Sequence, residues 1–493
     1  MTLSCFVSSL DRPVALHALL QALPDLAPCV FLDSARPHPV TGRWSLLGIE
    51  PWLRFEAKGD AIRIQTTAST TVRRGDPLEA LAEILRRYRI PADEQAPAGL
   101  LREPQAPGRA HTRAIGLMGY LGYEAKNWVE SLPPPKPEAT GLPDLLFFAM
   151  SGVLLVDHVE GRTWIVSVVD PHCDPVLARK QAADRLERLY ALAASDSEPA
   201  QPGAFWSSSP APTFSRETFE DKVLQVLDFI RAGEVFQVNL AQRFTGTWSG
   251  DPRRLYQTLR EVNPSPFAAY VRDGARAVAS CSPERLVRAQ DGRVDTRPIA
   301  GTRPRGLSAD DDAMRSLELL LSEKERAEHI MLVDLMRNDL GRVSAAGTVG
   351  VDELMAIETY SHVLHIVSGI SGRLKPGIEP VDIIRAVFPG GTITGCPKVR
   401  CMEILHFLEP VARGLYTGSL GTIGFDGALD LNIAIRTIAL NQGKWSLHAG
   451  AGIVADSDPG REYEETLAKA HALFLALARA AESTHESAQP RFS

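Results

Sequence analysis

The sequence lacks the features that would place it in a membrane, on nucleic acid or in an oxidising compartment. Its longest apolar stretch, LLFFAMSGVLLV from Leu145 to Val156, falls well short of the roughly 20 residues that a membrane-spanning helix needs. It predicts a buried strand instead. The net charge of -7 offers no basic footprint for nucleic acid or an anionic bilayer. Six cysteines, Cys5, Cys29, Cys173, Cys281, Cys396 and Cys401, form no CxxC pair and no zinc-type spacing with histidine, which argues against a metal cage or a disulfide framework. Asp11 and Arg12 interrupt the N-terminal segment where a secretory signal would need an unbroken apolar core. The expectation is a cytoplasmic protein with reduced thiols and no membrane or nucleic-acid partner.

What is present fits a large globular enzyme. A chain of 493 residues, 44% apolar and 23% charged, exceeds what one hydrophobic core usually supports. SDSEPAQPGAFWSSSPAPT, Ser195 to Thr213, has the composition of an extended, solvated connector. The expected division is therefore residues 1–195, a linker at 196–213, a C-terminal unit at 214–480 and a flexible tail at 481–493. Phe219, Val223, Val226, Leu227 and Ile230 recur at helical spacing, with Gly233 as a stop signal. In VFQVNLAQRF, Phe236, Val238 and Leu240 alternate with Gln237 and Asn239, so a strand there carries two amides on one face.

Several constellations could carry chemistry. Ser308 and Asp311 resemble the capped start of a helix containing LLLSEKERAEHIMLVDLM. Glu325 and Glu328 share one face of it, and Glu462 and Glu465 repeat the spacing in REYEETLAKAHALF. Four carboxylates on two helices suit a hard cation such as Mg²⁺, although Glu465 and Lys469 also read as an ordinary surface ion pair. PGGTITGCPKVRCMEIL places a glycine-rich turn before Pro397, a favoured first helical residue. It is not a phosphate-binding P-loop, because Cys396 and Pro397 stand where lysine and a hydroxyl should follow Gly395. HAGAGIVADS is a second glycine cluster able to bring backbone close to a ligand. Glu284, in SCSPERL among apolar neighbours, has a setting that could raise its pKa for proton donation. His362 and His365 in YSHVLHIVS read equally as core or surface histidines.

The order of these segments, VFQVNLAQRF, SPERL, PIAGTRPRG, AEHIMLVDLMRNDLGRV, YSHVLHIVS, GGTITGCPKVRCMEIL, YTGSLGTIGFDGALDLNIAIRT and GAGIVADSDPGREYEETLAKA, resembles the chorismate-binding enzymes across Arg216 to Leu475. The resemblance extends more loosely to RWSLLGIEPW and GLMGYLGYEAKNW. It implies an α+β fold, a two-layer antiparallel β sandwich wrapped by helices with strands from both parts of the chain, and it makes residues 214–480 the chorismate-binding catalytic unit. By the same resemblance Glu328 and Glu465 would ligate Mg²⁺, with Glu325 and Glu462 completing the acidic cluster. Tyr416, Arg436, the Gly450 and Gly452 backbone and Lys469 would bind substrate carboxylates. Thr302 and Thr392 would flank the ring, Glu284 would protonate the departing 4-hydroxyl, and His365 would sit near the carbon that exchanges its substituent.

The resemblance also bears on the nucleophile. Relatives that add water carry a lysine base where this chain has Gln237, and a neutral amide implies ammonia instead. None of the cysteines sits in a glycine-flanked nucleophile elbow, so ammonia is expected from a separate glutaminase subunit. Asn239, Gly390 with Gly391, CPKVRC and DLNIAIRT resemble the aminodeoxychorismate branch, which aminates C4, more than the anthranilate branch, which aminates C2 and releases pyruvate. Ala300 dissents, because many aminodeoxychorismate enzymes carry a covalent lysine there. Leu32, Asp33, Ser34, Pro264 and Phe267 resemble the family's tryptophan-holding segments, which leaves a sensor or regulatory subunit as the non-enzyme alternative. FLDS departs from the LLES form of feedback-inhibited members.

Overall fold

The computed structural model describes residues 3–38, 41–90, 113–138, 140–195, 201–306, 308–359 and 363–482, without the side chains of residues 302, 304, 309, 324 and 363. Its centre is the apolar run singled out above. Strand Leu145–Asp157 is buried at every residue and pairs antiparallel along strand Trp44–Lys58. A register shift falls between Pro51 and Leu53, next to Glu50, whose φ of 54° lies in the left-handed region. Proline has no N–H for the ladder, so a bulge there is the local solution.

On either side of that bulge the ribbon acquires different neighbours, and two sheets grow from it. Toward one end Arg162–Val168 and then Cys5–Leu10 add to one edge. The other edge continues through Cys29–Asp33, Phe267–Asp273, Arg276–Ser282, Thr437–Asn441, Lys444–Ile453 and Gln237–Gly250. At the opposite end the ribbon is flanked by Ala61–Thr66 and by Gly116–Leu121. The latter leads through Ser419–Gly424, Leu429–Asn432, Arg285–Gln290 and Arg293–Thr296 to Val363–Arg373. Ile299–Pro304 and Gly350–Thr359 both pair with that last strand.

Each sheet thus joins strands from before and after the connector at a single seam, as the expected sandwich requires. The described part of the connector, residues 201–213, is extended, and Phe205–Ser207 and Ala211–Pro212 pair with Gln237–Gly250, but Phe205 is buried beneath it. Strand alternation sorts the side chains. Val30, Leu46, Val271 and Val278 enter one core with the second sheet's Leu117, Phe147 and Val287. Phe31, Leu47, Tyr270 and Ala277 face a second core under helices Pro252–Val262 and Pro459–Glu482.

The helical expectations hold with two corrections. Helix Arg216–Arg231 is capped by Ser215, whose hydroxyl accepts from Thr218 N, and Gly233 follows at φ 74°. The single helix expected through LLLSEKERAEHIMLVDLM is two, Ala309–Leu321 and Glu323–Gly341. Ser308 caps the first, and Ser322 caps the second by accepting from Glu325 N. A serine able to hydrogen-bond local backbone ends one helix and starts the next. Pro397 lies at the N-cap of Lys398–Leu408 rather than inside it. Among the described residues no helix is long and apolar enough to cross a membrane.

Phe147, fully buried on the strand shared by both sheets, carries the first prediction. Phe147→Ala is expected to cost about 3–5 kcal/mol of stability, read as a lowered denaturant midpoint; a loss below about 1 kcal/mol would show that this ribbon is not the centre of the fold.

Candidate functional site

The site forms where the two sheets' C-terminal strands approach each other. Strand Gln237–Gly250 lies beside Lys444–Ile453, with Asn239 opposite Gly452 and Ala241 opposite Gly450. Both amides are buried, Gln237 at 3% and Asn239 at 9% exposed, so the polar face of this strand is not a solvated one. Phe236, expected to share the strand's apolar face, precedes it and is exposed. The glycines have a physical reason. A Cβ on Gly450 would lie 2.7 Å from Asn239 Oδ1 and 2.9 Å from the Tyr416 hydroxyl, and one on Gly452 would lie 2.5 Å from Gln237 Nε2. Only bare backbone leaves room for the amides above it.

From that floor the contacts run to the other predicted residues. Gln237 Nε2 donates to Glu328 Oε1 at 2.7 Å. Asn239 Nδ2 donates to the Thr392 carbonyl at 3.3 Å, and Thr392 Oγ1 donates to Glu284 Oε1 at 3.0 Å. Lys469 Nζ donates to Gly450 O at 3.1 Å. Tyr416 stacks on His448 with ring centroids 5.2 Å apart. Arg436 takes a left-handed φ of 53°, uncommon for a residue with a side chain. Burial pulls its pKa down. Thr302 pairs with His365 across the strands; its side chain and all of His362 lie outside the described residues.

The environment separates an acid from a neutral base. Glu284 is 5% exposed. Burial raises its pKa to about 7, against the pull of Thr392, the Ile299 backbone N–H and the Lys469 charge. His365 is pushed down to about 4 by burial, assisted by Arg436 and Lys469. Its Nδ1 lies 3.3 Å from Gly301 O, so a neutral ring donates there and leaves Nε2 as an acceptor.

The four predicted metal carboxylates do not gather. Among the described residues no three acidic, histidine or cysteine side chains converge. Glu325 is paired with Arg303 at 3.0 Å, Glu462 is buried in the first turn of its helix, and Glu465 holds Lys469 at 2.6 Å with both side chains substantially exposed. The donor set still suits Mg²⁺, which takes one or two carboxylates and keeps its waters. Glu328 Oε1 lies 3.7 Å from the Gly452 Cβ position, and Glu465 reaches the same strand through Lys469.

A pair that sequence reasoning missed ties the site together. Arg413, its side chain 1% exposed, bonds Glu409 at 2.7 Å and also donates to Asn239 O at 2.6 Å and Ile393 O at 3.0 Å. Burial opposes its charge, but the Glu409 carboxylate raises its pKa by charge and hydrogen bonding, so the guanidinium stays ionised. The available signal was a glutamate and an arginine four apart in the otherwise apolar HFLEPVARGLY.

Leu32, Asp33, Ser34 and Phe267 line a separate cavity of about 220 Å³ with Trp44 and Arg113; Pro266 lines it in place of the expected Pro264. Asp33 already accepts from Arg260 at 2.6 Å and Tyr256 at 3.0 Å, which reduces its capacity for an amino-acid ammonium.

Comparison with known proteins follows the same lines. The sequence profile of the family described as chorismate binding enzyme matches residues 41–475, and the chain belongs to that family. Aminodeoxychorismate synthase component 1 from Bacillus subtilis strain 168 is 40% identical over 92% of this chain and 93% of that protein. Anthranilate synthase component 1 from Thermus thermophilus is also 40% identical, over 96% of each. Among solved structures, anthranilate synthase component I from Streptococcus pneumoniae TIGR4 superposes with a TM-score of 0.73 at 30% identity, over 89% of this chain and 93% of that one. The menaquinone-specific isochorismate synthase from Escherichia coli shares the fold at a TM-score of 0.70 and 17% identity, over 97% and 95%.

Arg413→Met leaves Glu409 buried without its partner, a change expected to cost about 3–5 kcal/mol. Thermal or denaturant unfolding checks it; stability within about 1 kcal/mol of the parent would mean that the pair does not hold the Asn239 strand and the Ile393 turn together.

Proposed function

We propose that this chain is the component I of an aminodeoxychorismate synthase, converting chorismate and ammonia to 4-amino-4-deoxychorismate in the cytoplasm. The observation that carries the choice of ammonia over water is Gln237, a buried amide whose Nε2 donates to Glu328; the choice of C4 rests on the likeness of Asn239, the Gly390–Gly391 pair, CPKVRC and DLNIAIRT to the aminodeoxychorismate branch. An amide cannot deprotonate water, whereas ammonia already presents a lone pair. The partner would be a separate glutaminase subunit, consistent with the component names of the relatives. Conversion onward to 4-aminobenzoate for folate would need another enzyme.

Arg436 and Lys469 supply the positive charge that holds the substrate carboxylates. Glu284, kept protonated by burial, gives its proton to the 4-hydroxyl as the C4–O bond breaks, and water leaves. Thr392 fixes the acid's orientation, and neutral His365 presents Nε2 toward the reacting ring without adding charge. Glu328 and Glu465, with Glu325 and Glu462 nearby in sequence, would hold Mg²⁺, which when bound neutralises the ring carboxylate. With Ala300 in the loop there is no covalent lysine, so ammonia would add at C2 as the protonated 4-hydroxyl leaves as water, and a second ammonia would then attack C4 while the C2–N bond breaks and the first ammonia departs.

One observation favours a second reading. Ala300 is nearly buried and offers no nucleophile, which equally suits amination at C2 with loss of pyruvate, giving anthranilate. Chorismate and ammonium, supplied with and without Mg²⁺ and followed by chromatography, separate the two. The expected product is 4-amino-4-deoxychorismate, formed only with the metal. Fluorescent anthranilate would overturn the product, undiminished turnover without Mg²⁺ the metal role, and no turnover at all the enzymatic reading.

A further inference from the structure

We propose that Thr417 is a positioning residue for chorismate: its hydroxyl holds a left-handed turn of backbone that aims Tyr416 at the Gly450 floor of the site. The inference rests on the chorismate-binding reading of the site and not on which carbon is aminated.

Thr417 is 1% exposed and stands at φ 61°. For a β-branched residue that conformation is an outlier, because its Cβ crowds the following carbonyl oxygen. Such backbone persists only where the surroundings impose it, and it concentrates at functional sites. Here the surroundings are specific. Thr417 N donates to Ala434 O at 2.8 Å, and Ala434 N donates back to Gly418 O at 2.8 Å. The Thr417 hydroxyl donates to Tyr416 O at 2.6 Å and accepts from Arg413 Nη1 at 3.3 Å. One oxygen thus ties the strained residue to the buried Arg413–Glu409 pair. Glycine would take this φ without strain, but it would leave Arg413 short of that acceptor and the turn unanchored.

The two backbone bonds clamp residues 416–418 to residues 434–436, where Arg436 is itself left-handed. Rotation about the Thr417 N–Cα bond turns all that precedes it against all that follows, so relaxing φ would swing Tyr416. In the observed turn the Tyr416 ring lies on His448 with planes 10° from parallel, and its hydroxyl stands 2.9 Å from the Gly450 Cβ position. That hydroxyl makes no hydrogen bond among the described residues. Burial pushes its pKa up to about 12, so it stays protonated and can donate to a substrate carboxylate.

Chorismate binding, measured by calorimetry with Mg²⁺ and without ammonia, tests this independently of the product. Thr417→Ala and Thr417→Ser differ by one hydroxyl. Thr417→Ala is expected to weaken binding by about tenfold, the reach of one hydrogen bond, and Thr417→Ser by less than about threefold. In turnover Thr417→Ala should raise KM by the same factor and change kcat by less than about twofold, the signature of lost uniform binding. Thr417→Val, which keeps the side chain's shape without the hydroxyl, serves if Thr417→Ala fails to fold. Because Thr417 acts through Tyr416, adding Thr417→Ala to Tyr416→Phe should cost no further affinity. Parent-like affinity in Thr417→Ala or Thr417→Val, the same loss in the Tyr416→Phe background as in the parent, or a fall in kcat at unchanged KM would overturn the proposal. A parent that binds chorismate but makes anthranilate would contradict only the product assigned above; a parent that does not bind chorismate would overturn both.

Discussion

The site depends on keeping one carboxyl group out of water. Glu284 can donate a proton near neutral pH because burial disfavours its ionised form, and each neighbouring element preserves that burial. Thr392 satisfies one of its oxygens, Asn239 holds the Thr392 carbonyl, and Arg413 grips the carbonyls of both Asn239 and Ile393. Ion pairs of this kind are costly to build, since two charges lose their hydration. They persist where hydrogen bonds satisfy the remaining donors and acceptors. Arg413, with its bonds to Glu409, Asn239 and Ile393, meets that condition.

The sandwich explains how residues distant in sequence share one site. Neither half of the chain closes a sheet alone; the seams between Cys29–Asp33 and Phe267–Asp273 and between Gly116–Leu121 and Ser419–Gly424 would otherwise be open edges. The N-terminal half supplies the shared ribbon and much of the core. The chemistry-bearing groups come from the C-terminal half, where strands of both sheets and the helix carrying Lys469 and Glu465 approach the Gly450–Gly452 backbone.

Much of this was legible in the sequence. The run at Leu145, the periodicity from Phe219 to Ile230 and the Gln237–Asn239 alternation each became the element their pattern implied. Other features depend on tertiary context that no local pattern encodes. Phe236 has the right parity for the apolar face but lies just before the strand begins, where its side chain is exposed. Ser322 looked like one more helical residue until its hydroxyl found the Glu325 N–H. Glu465 and Lys469 are the ordinary i, i+4 pair that their spacing allows, while also standing beside the glycine strand. The Arg413–Glu409 pair was open to their i, i+4 spacing, but the bonds that make Arg413 a hub go to the carbonyls of Asn239 and Ile393, which have no signature in sequence.

The central claim is that Glu284 acts as an acid and loses that ability when it ionises. A group whose pKa is raised by burial is protonated below that value, so its contribution disappears as pH rises through about 7. The most direct test is kcat/KM for chorismate against pH at constant free ammonia, since that ratio reports the free enzyme. The account predicts a descending limb near pH 7 that vanishes in Glu284→Gln, whose residual rate is lower by about 10² to 10⁴. A profile flat through neutral pH, or the same limb persisting in Glu284→Gln, would contradict it.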